Sequence, residues 1–250
     1  MTDSADGDLT VVLVHGGFLG PWIWADVVRE LSRDGLRPVC VDLPSCRGTG
    51  TKLAGLADDV QAVRAALDGC ARAVVCGHSY AGLVVTEAAA GHPAVRHLIY
   101  LAAAIPDAGD SLTSLAAARP PAPATAGAGA GAGEGEEIEF RLDGRIMIRP
   151  DSARTSLFHD CDAARASDAI ARLRPINPAT STATVTRAAW HDIPATYVRC
   201  TQDRLPYEPV SPSFLSRGFG TRELPAGHCP QWSRPGLVAS LIAGICALLR

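Results

Sequence analysis

The sequence predicts an α/β fold, a mostly parallel sheet wrapped by helices, with a cap inserted between two stretches of that scaffold. Three observations point to it. Apolar runs of strand length alternate with segments of helical spacing over the first hundred residues or so. The same alternation returns over the last sixty or so, and between the two blocks it breaks down.

The elements follow in order. "LTVVLVHGG" (9–17) is a continuous apolar run ending in Gly-Gly, the pattern of a strand buried on both faces. "WADVVRELSRDG" (24–35) sets Trp24, Val27, Val28 and Leu31 on one helical face and stops at Gly35. "RPVCVDLP" (37–44) reads as the next strand and "LADDVQAVRAALDG" (56–69) as the next helix. A strand over 73–76, a helix over 80–90 and the strand "HLIYLAAAIP" (97–106) complete the first block. The second block holds "ATYVRCT" (195–201), "TRELPA" (221–226) and a helix over 235–248.

Residues 1–105 and 191–250 are thus assigned to the scaffold, and 106–190 to an insertion rather than a second independent domain. Within it, "ARPPAPATAGAGAGAGEGEE" (118–137) has too little apolar surface to offset its ordering entropy, so a mobile loop is expected. "IEFRLDGRIMI" (138–148) puts Asp-Gly between two alternating runs, the signal of a hairpin with a two-residue turn. Residues 151–174 read as one or two short helices.

Composition narrows the function classes. With 47% hydrophobic and 20% charged residues, the 250-residue chain has the balance of a soluble globular protein. A net charge of −3 with no basic cluster argues against a nucleic-acid partner and for a small neutral or apolar ligand. No apolar run reaches the ~20 residues of a membrane span, and "MTDSADGD" lacks the positive start and apolar stretch of a signal peptide. The eight cysteines are scattered, with Cys40, Cys76 and Cys200 in strand-like runs. Cys70 and Cys76 have no neighbouring His/Cys cluster to make a zinc site. The expectation is a reduced, cytoplasmic protein acting on a small molecule, with no metal or organic cofactor and no membrane partner. A homodimer is left open.

The chemistry centres on "VVCGHSYAGLVV" (74–85). A nucleophilic serine needs an exposed, strained turn where a strand ends and a helix begins; there the helix offers backbone N–H groups and the positive end of its dipole. Ser79 sits on such a turn, with Gly77 before it and Ala81 and Gly82 after it. "HGGFLGPWIW" (15–24) follows the first strand and offers the loop from which a second oxyanion donor comes. Tyr80 is expected to give one N–H and Gly17 or Phe18 the other. His228, in "ELPAGHCPQWSRPGLVASL" (223–241), lies between a short strand and the last helix and is the candidate base. Asp203, at the end of a strand in "YVRCTQDRLPY" (197–207), and Asp107, in "AAAIPDAGD", are the rival candidates for the acid.

These motifs and their order resemble the α/β-hydrolase superfamily. "HGGFLGPWIW", "GHSYAG", "AAAIPDAGDS", "VRCTQDRLP" and "AGHCPQWSRP" together resemble the plant methylesterase and hydroxynitrile lyase group and its bacterial esterase relatives. The resemblance spans nearly the whole chain. It implies a Ser79–His228–Asp203 triad and a helical cap with a small hairpin. The fifth position of the usual G-x-S-x-G motif is Ala81 here. Lyases of that group usually carry lysine after the histidine, where this chain has Cys229, so the resemblance implies ester cleavage rather than cyanohydrin chemistry.

Phe18, Tyr80 and Trp232 are the candidate substrate contacts, with Leu157, Phe158 and Ile170 candidates for lining the cap. The reading is a serine hydrolase acting on a small, largely apolar carboxylic ester, thioester or lactone. Two alternatives stay open at this point: a cyclase, lyase or acyl transferase of secondary metabolism on the same scaffold, and a receptor-like binding protein with a vestigial site.

Overall fold

In a computed structural model, residues 9–48, 53–118, 137–205 and 210–249 are described. Strand β1 (Leu9–Val14) is buried along its whole length, as its unbroken apolar run requires, and pairs on both sides. On one side lies β2 (Arg37–Val41) and on the other β3 (Arg72–His78); β4 (Val95–Leu101) lies beyond β3. Strands β7 (Ala195–Cys200) and β8 (Gly220–Leu224) complete a six-stranded sheet of order β2-β1-β3-β4-β7-β8, parallel throughout.

Alternation along the strands feeds two cores. Val12, Val14 and Val75 point to one face, where α2 (Leu56–Asp68) contributes Val60, Val63 and Leu67, and α3 (Ala81–Ala88) contributes Leu83, Val84 and Val85. Val11, Leu13, Val74 and Cys76 point to the other. There α1 (Ala25–Arg33) packs with Val27 and Leu31, and the last helix (Pro235–Ala247) with Val238, Ile242 and Cys246.

Between β4 and β7 the chain leaves the sheet. It forms α4 (Leu112–Ala117), a hairpin of β5 (Ile138–Phe140) and β6 (Ile146–Ile148), then α5 (Pro150–Ser156) and α6 (Ala163–Ala171). The expected mobile loop falls almost wholly on residues 119–136, outside the described residues. After β7 come α7 (Pro212–Ser216), β8, a short helix α8 (Pro230–Ser233), and the last helix, α9. Among the described residues no helix is long and apolar enough to cross a membrane.

Two expectations need correcting. The hairpin turn has three residues rather than two: Arg141 N–H donates to Arg145 (2.8 Å), and Gly144 takes the left-handed conformation (φ +82°). A right-handed turn closed by a left-handed glycine fits the strand twist as well as a two-residue turn does. The strand expected over 97–106 ends at Leu101. Ala102 has φ +42°, and residues 103–105 run on fully buried against the core but outside the strand. Their apolar character records burial; the only strand-like pairing among them is an isolated bridge from Ile105 to Val210.

Candidate active site

The sharpest backbone feature is at Ser79, which follows the last residue of β3 and has φ +56°. An L-residue avoids this left-handed region, so the surroundings must hold it there. Ser79 N–H donates to Leu101 (3.3 Å), and its carbonyl accepts from Gly82 (3.0 Å) and Ala104 (3.1 Å). The chain after β4 thereby clamps the turn. It also explains the glycines. A Cβ on Gly82 would lie 1.7 Å from the Ala104 carbonyl oxygen, and one on Gly77 2.8 Å from Val85. Ala81, by contrast, is accommodated fully buried. The closest approach of the helix to the chain after β4 thus falls at Gly82, one residue past Ala81.

The structure brings Ser79, His228 and Asp203 together. His228 Nε2 lies 3.0 Å from Ser79 Oγ, and Nδ1 lies 2.7 Å from Asp203 Oδ2. A carboxylate only accepts, so Nδ1 carries the hydrogen and Nε2 faces the serine as an acceptor. Asp203 is fixed at the end of β7: Gln202 N–H reaches Ala226 (3.1 Å), and Leu205 N–H donates to Asp203 Oδ1 (2.9 Å). Burial opposes its ionisation, but the charge and hydrogen bond of His228 and the Leu205 N–H outweigh it, and its pKa is held below the ordinary carboxylate value. Asp107 is placed elsewhere, accepting from His191 Nε2 (2.8 Å) and Ser213 Oγ (2.6 Å).

The loop after β1 backs onto the serine. A Cβ on Gly16 would stand 2.8 Å from Ser79 Cβ, and one on Gly17 would be 3.9 Å from Tyr80 Cβ and 3.4 Å from Ile176 Cδ1. Phe18 is left-handed (φ +61°), and its carbonyl accepts from Arg174 N–H (2.8 Å). His15 Nδ1 lies 2.9 Å from the Gly16 carbonyl, which only accepts. In a planar trans peptide the N–H points opposite the C=O, so the Gly17 N–H is turned away from His15.

Of the expected side-chain contacts, Phe18 is half-buried beside the site. Tyr80 turns its ring into the core, where its hydroxyl donates to Asp59 (2.8 Å). Trp232 is buried against Arg165, whose guanidinium lies 4.2 Å from its ring centroid, and edge-on to Trp22. Leu157 and Phe158 are core residues, and Ile170 packs partly buried against the same core.

Two groups escaped the sequence reading. His78 is fully buried, its ring 4.9 Å from that of His228, and its Nε2–H donates to the His228 carbonyl (2.8 Å). Burial, reinforced by the His228 charge, pushes its pKa down to about 3, so it stays neutral beside the base. Asp59, buried on α2, accepts from Ser45 N–H (2.9 Å), Ser45 Oγ (2.6 Å) and Tyr80. Burial raises its pKa despite these donors. The position of His78 inside the motif was the only available hint; Asp59 reads as an ordinary acidic residue in a helix's first turn.

The model of the alpha/beta hydrolase family matches residues 11–241. The alpha/beta hydrolase nvfD of Aspergillus novofumigatus is 29% identical over 250 residues, covering 93% of this chain and 94% of that protein. The carbendazim hydrolyzing esterase of a Nocardioides species is 35% identical over 113 residues, 42% of this chain and 46% of its own. Among solved structures, a pyrethroid hydrolase from Sphingobium faniae superposes with a TM-score of 0.76 at 21% identity, covering 94% of this chain and 96% of that one, a likeness of fold.

Proposed function

The chain belongs to the alpha/beta hydrolase family, and from that premise we propose that it is a serine hydrolase cleaving a small, largely apolar carboxylic ester, thioester or lactone. The observation that carries the reading is the line from Ser79 Oγ through His228 to Asp203, with both contacts at hydrogen-bond distance and the serine on a strained turn. The relatives named hydrolase and esterase support the same class.

Ser79 Oγ attacks the acyl carbon while His228 Nε2 takes its proton. The oxyanion accepts from the N–H groups of Tyr80 and Gly17, the latter favoured over Phe18 by the His15 contact to the Gly16 carbonyl. The tetrahedral intermediate collapses, and the proton on Nε2 passes to the departing alkoxide or thiolate. Water then attacks the acyl-enzyme, His228 accepts its proton, and Ser79 leaves with that proton as the carboxylic acid is released. Asp203 keeps the hydrogen on Nδ1 and offsets the charge of the imidazolium.

The described residues of the insertion, 106–118 and 137–190, serve in this reading as the cap over the site. Ile176, bridged to Ile146 of β6, reaches the Gly17 loop and gives that wall an apolar character suited to an apolar acyl or alcohol group.

A fluorophosphonate probe labels a serine that has an activated hydroxyl. We expect labelling at Ser79 and none in Ser79→Ala. In ¹⁸O-labelled water, turnover of a short-chain aryl ester should place one label in the released acid. A cyclase or lyase using His228 and Asp203 without an acyl-enzyme incorporates none by this route. Labelling elsewhere, or unlabelled acid, overturns the hydrolase reading and leaves the fold standing.

A further inference from the structure

The loop that carries His228 is held from outside the sheet. Asp160, on the turn after α5, places Oδ2 at 2.8 Å from Gly227 N–H and 2.6 Å from Ser233 Oγ, so one carboxylate oxygen spans the base on both sides in sequence. The turn itself is anchored: Phe158 is fully buried, and its carbonyl accepts from Cys161 N–H (3.1 Å). One helix further on, Arg165 Nε donates to the Trp232 carbonyl (2.7 Å), and Trp232 Nε1 returns a bond to the Arg165 carbonyl (3.1 Å). Gly227 has no room for a side chain; a Cβ there would lie 2.7 Å from Asp160 Oδ1 and 2.9 Å from His159 Nε2. The glycine that precedes the base is therefore required by the insertion pressed against it.

We propose that Asp160 is a positioning residue for His228, through which the inserted segment sets the distance between the imidazole and Ser79. This rests on the reading of Ser79 and His228 as nucleophile and base. His228 is fixed by Asp203 at Nδ1 and by His78 at its carbonyl. On the backbone entering the residue, the Gly227 N–H donates to Asp160 Oδ2. Without that acceptor, the Gly227 N–H and Ser233 hydroxyl lose their shared partner, the loop relaxes, and Nε2 moves relative to Oγ. Misplacement by about 1 Å costs up to about 100-fold in rate when the reacting atoms depend on alignment.

The test compares Asp160→Ala, Asp160→Asn and Ser233→Ala with the wild type. The readouts are the second-order rate of fluorophosphonate labelling at Ser79, kcat and KM for a short-chain aryl ester, and Tm, with rates measured well below every Tm. Asp160→Ala should lower both the labelling rate and kcat by about tenfold or more, with KM within about twofold. Asp160→Asn keeps an oxygen able to accept both bonds and should restore most of the rate. Ser233→Ala, which removes one of the two bonds, should fall between.

A purely structural role would lower Tm and leave the rates of the folded protein unchanged; that result overturns the proposal. Should Asp160→Ala not fold, wild-type rates in Ser233→Ala overturn it equally. Absence of Ser79 labelling in the wild type strikes the nucleophile assignment itself. Equal labelling in wild type and variants strikes only Asp160.

Discussion

Asp203 and His228 meet at 2.7 Å, carboxylate to Nδ1, while the rival candidate acid, Asp107, is committed to His191 and Ser213. The partition makes a prediction about two similar substitutions. Asp203→Asn should cost about 10³-fold or more in kcat, since the loss in the serine-protease triad is about 10⁴. Asp107→Asn should change kcat by no more than about threefold once the folded fraction is accounted for. Steady-state kinetics with circular dichroism on both variants decides it, and the reverse ranking would reassign the acid.

The elbow allows one neighbour to vary and forbids the next. Gly82→Ala would drive a methyl to 1.7 Å from the Ala104 carbonyl oxygen, on backbone that already clamps Ser79. We expect a loss of about 3 kcal/mol or more, or no folded protein at all. Ala81→Gly should cost only about 1 kcal/mol, the usual helix penalty. Denaturant unfolding of the two variants provides the comparison, and a wild-type midpoint for Gly82→Ala would be incompatible with this packing.

The elbow and its neighbours also show what sequence discloses and what it does not. The strands were legible because β1 and β3 are buried on both faces and therefore unbroken in their apolar character. Ser79, Asp203 and His228 were legible because each stands at a strand end with a recognisable local pattern. The termination of β4 was not, because residues 103–105 are as buried as a strand, while Ala104 bonds the elbow and Ile105 forms only an isolated bridge to Val210. Asp59, His78 and Asp160 were hidden for a different reason. Their roles come from partners far along the chain, 150 residues away for His78 and 67 for Asp160, and no local pattern encodes such pairings.

His78 makes stability depend on pH. Its folded pKa of about 3 lies below the unfolded value of ~6.5, so between these values the unfolded chain binds the extra proton. Its contribution is complete above about pH 6.5 and is lost as pH falls toward 3. His78→Gln, whose amide still donates to the His228 carbonyl, should have a shallower fall in unfolding free energy over about pH 6.5 to 4 than the wild type. Parallel curves from urea titrations across that range would remove His78 as the cause.

Tyr80 should matter to stability more than to chemistry through its hydroxyl. Tyr80→Phe deprives the buried Asp59 carboxylate of one of three donors, which should cost about 1–3 kcal/mol. The backbone N–H assigned to the oxyanion remains, so kcat measured on the folded protein should stay within about fivefold. A large fall in kcat at unchanged stability would place the phenol, rather than the peptide, at the reacting centre.

The sheet order has a consequence for how the protein comes into being. Ser79 follows β3, at the centre of the sheet, whereas Asp203 and His228 follow β7 and β8 at its far edge. Synthesis runs from the first residue onward, and the four earlier strands can pair before the last two exist. A chain still on the ribosome at that stage has its serine turn but lacks His228, the base proposed for it. The last helix, which covers the second face of β1, also arrives only after His228. On the proposed triad, chemical competence and completion of the core coincide in time, and a nascent or truncated chain lacking its final quarter should be inert toward esters.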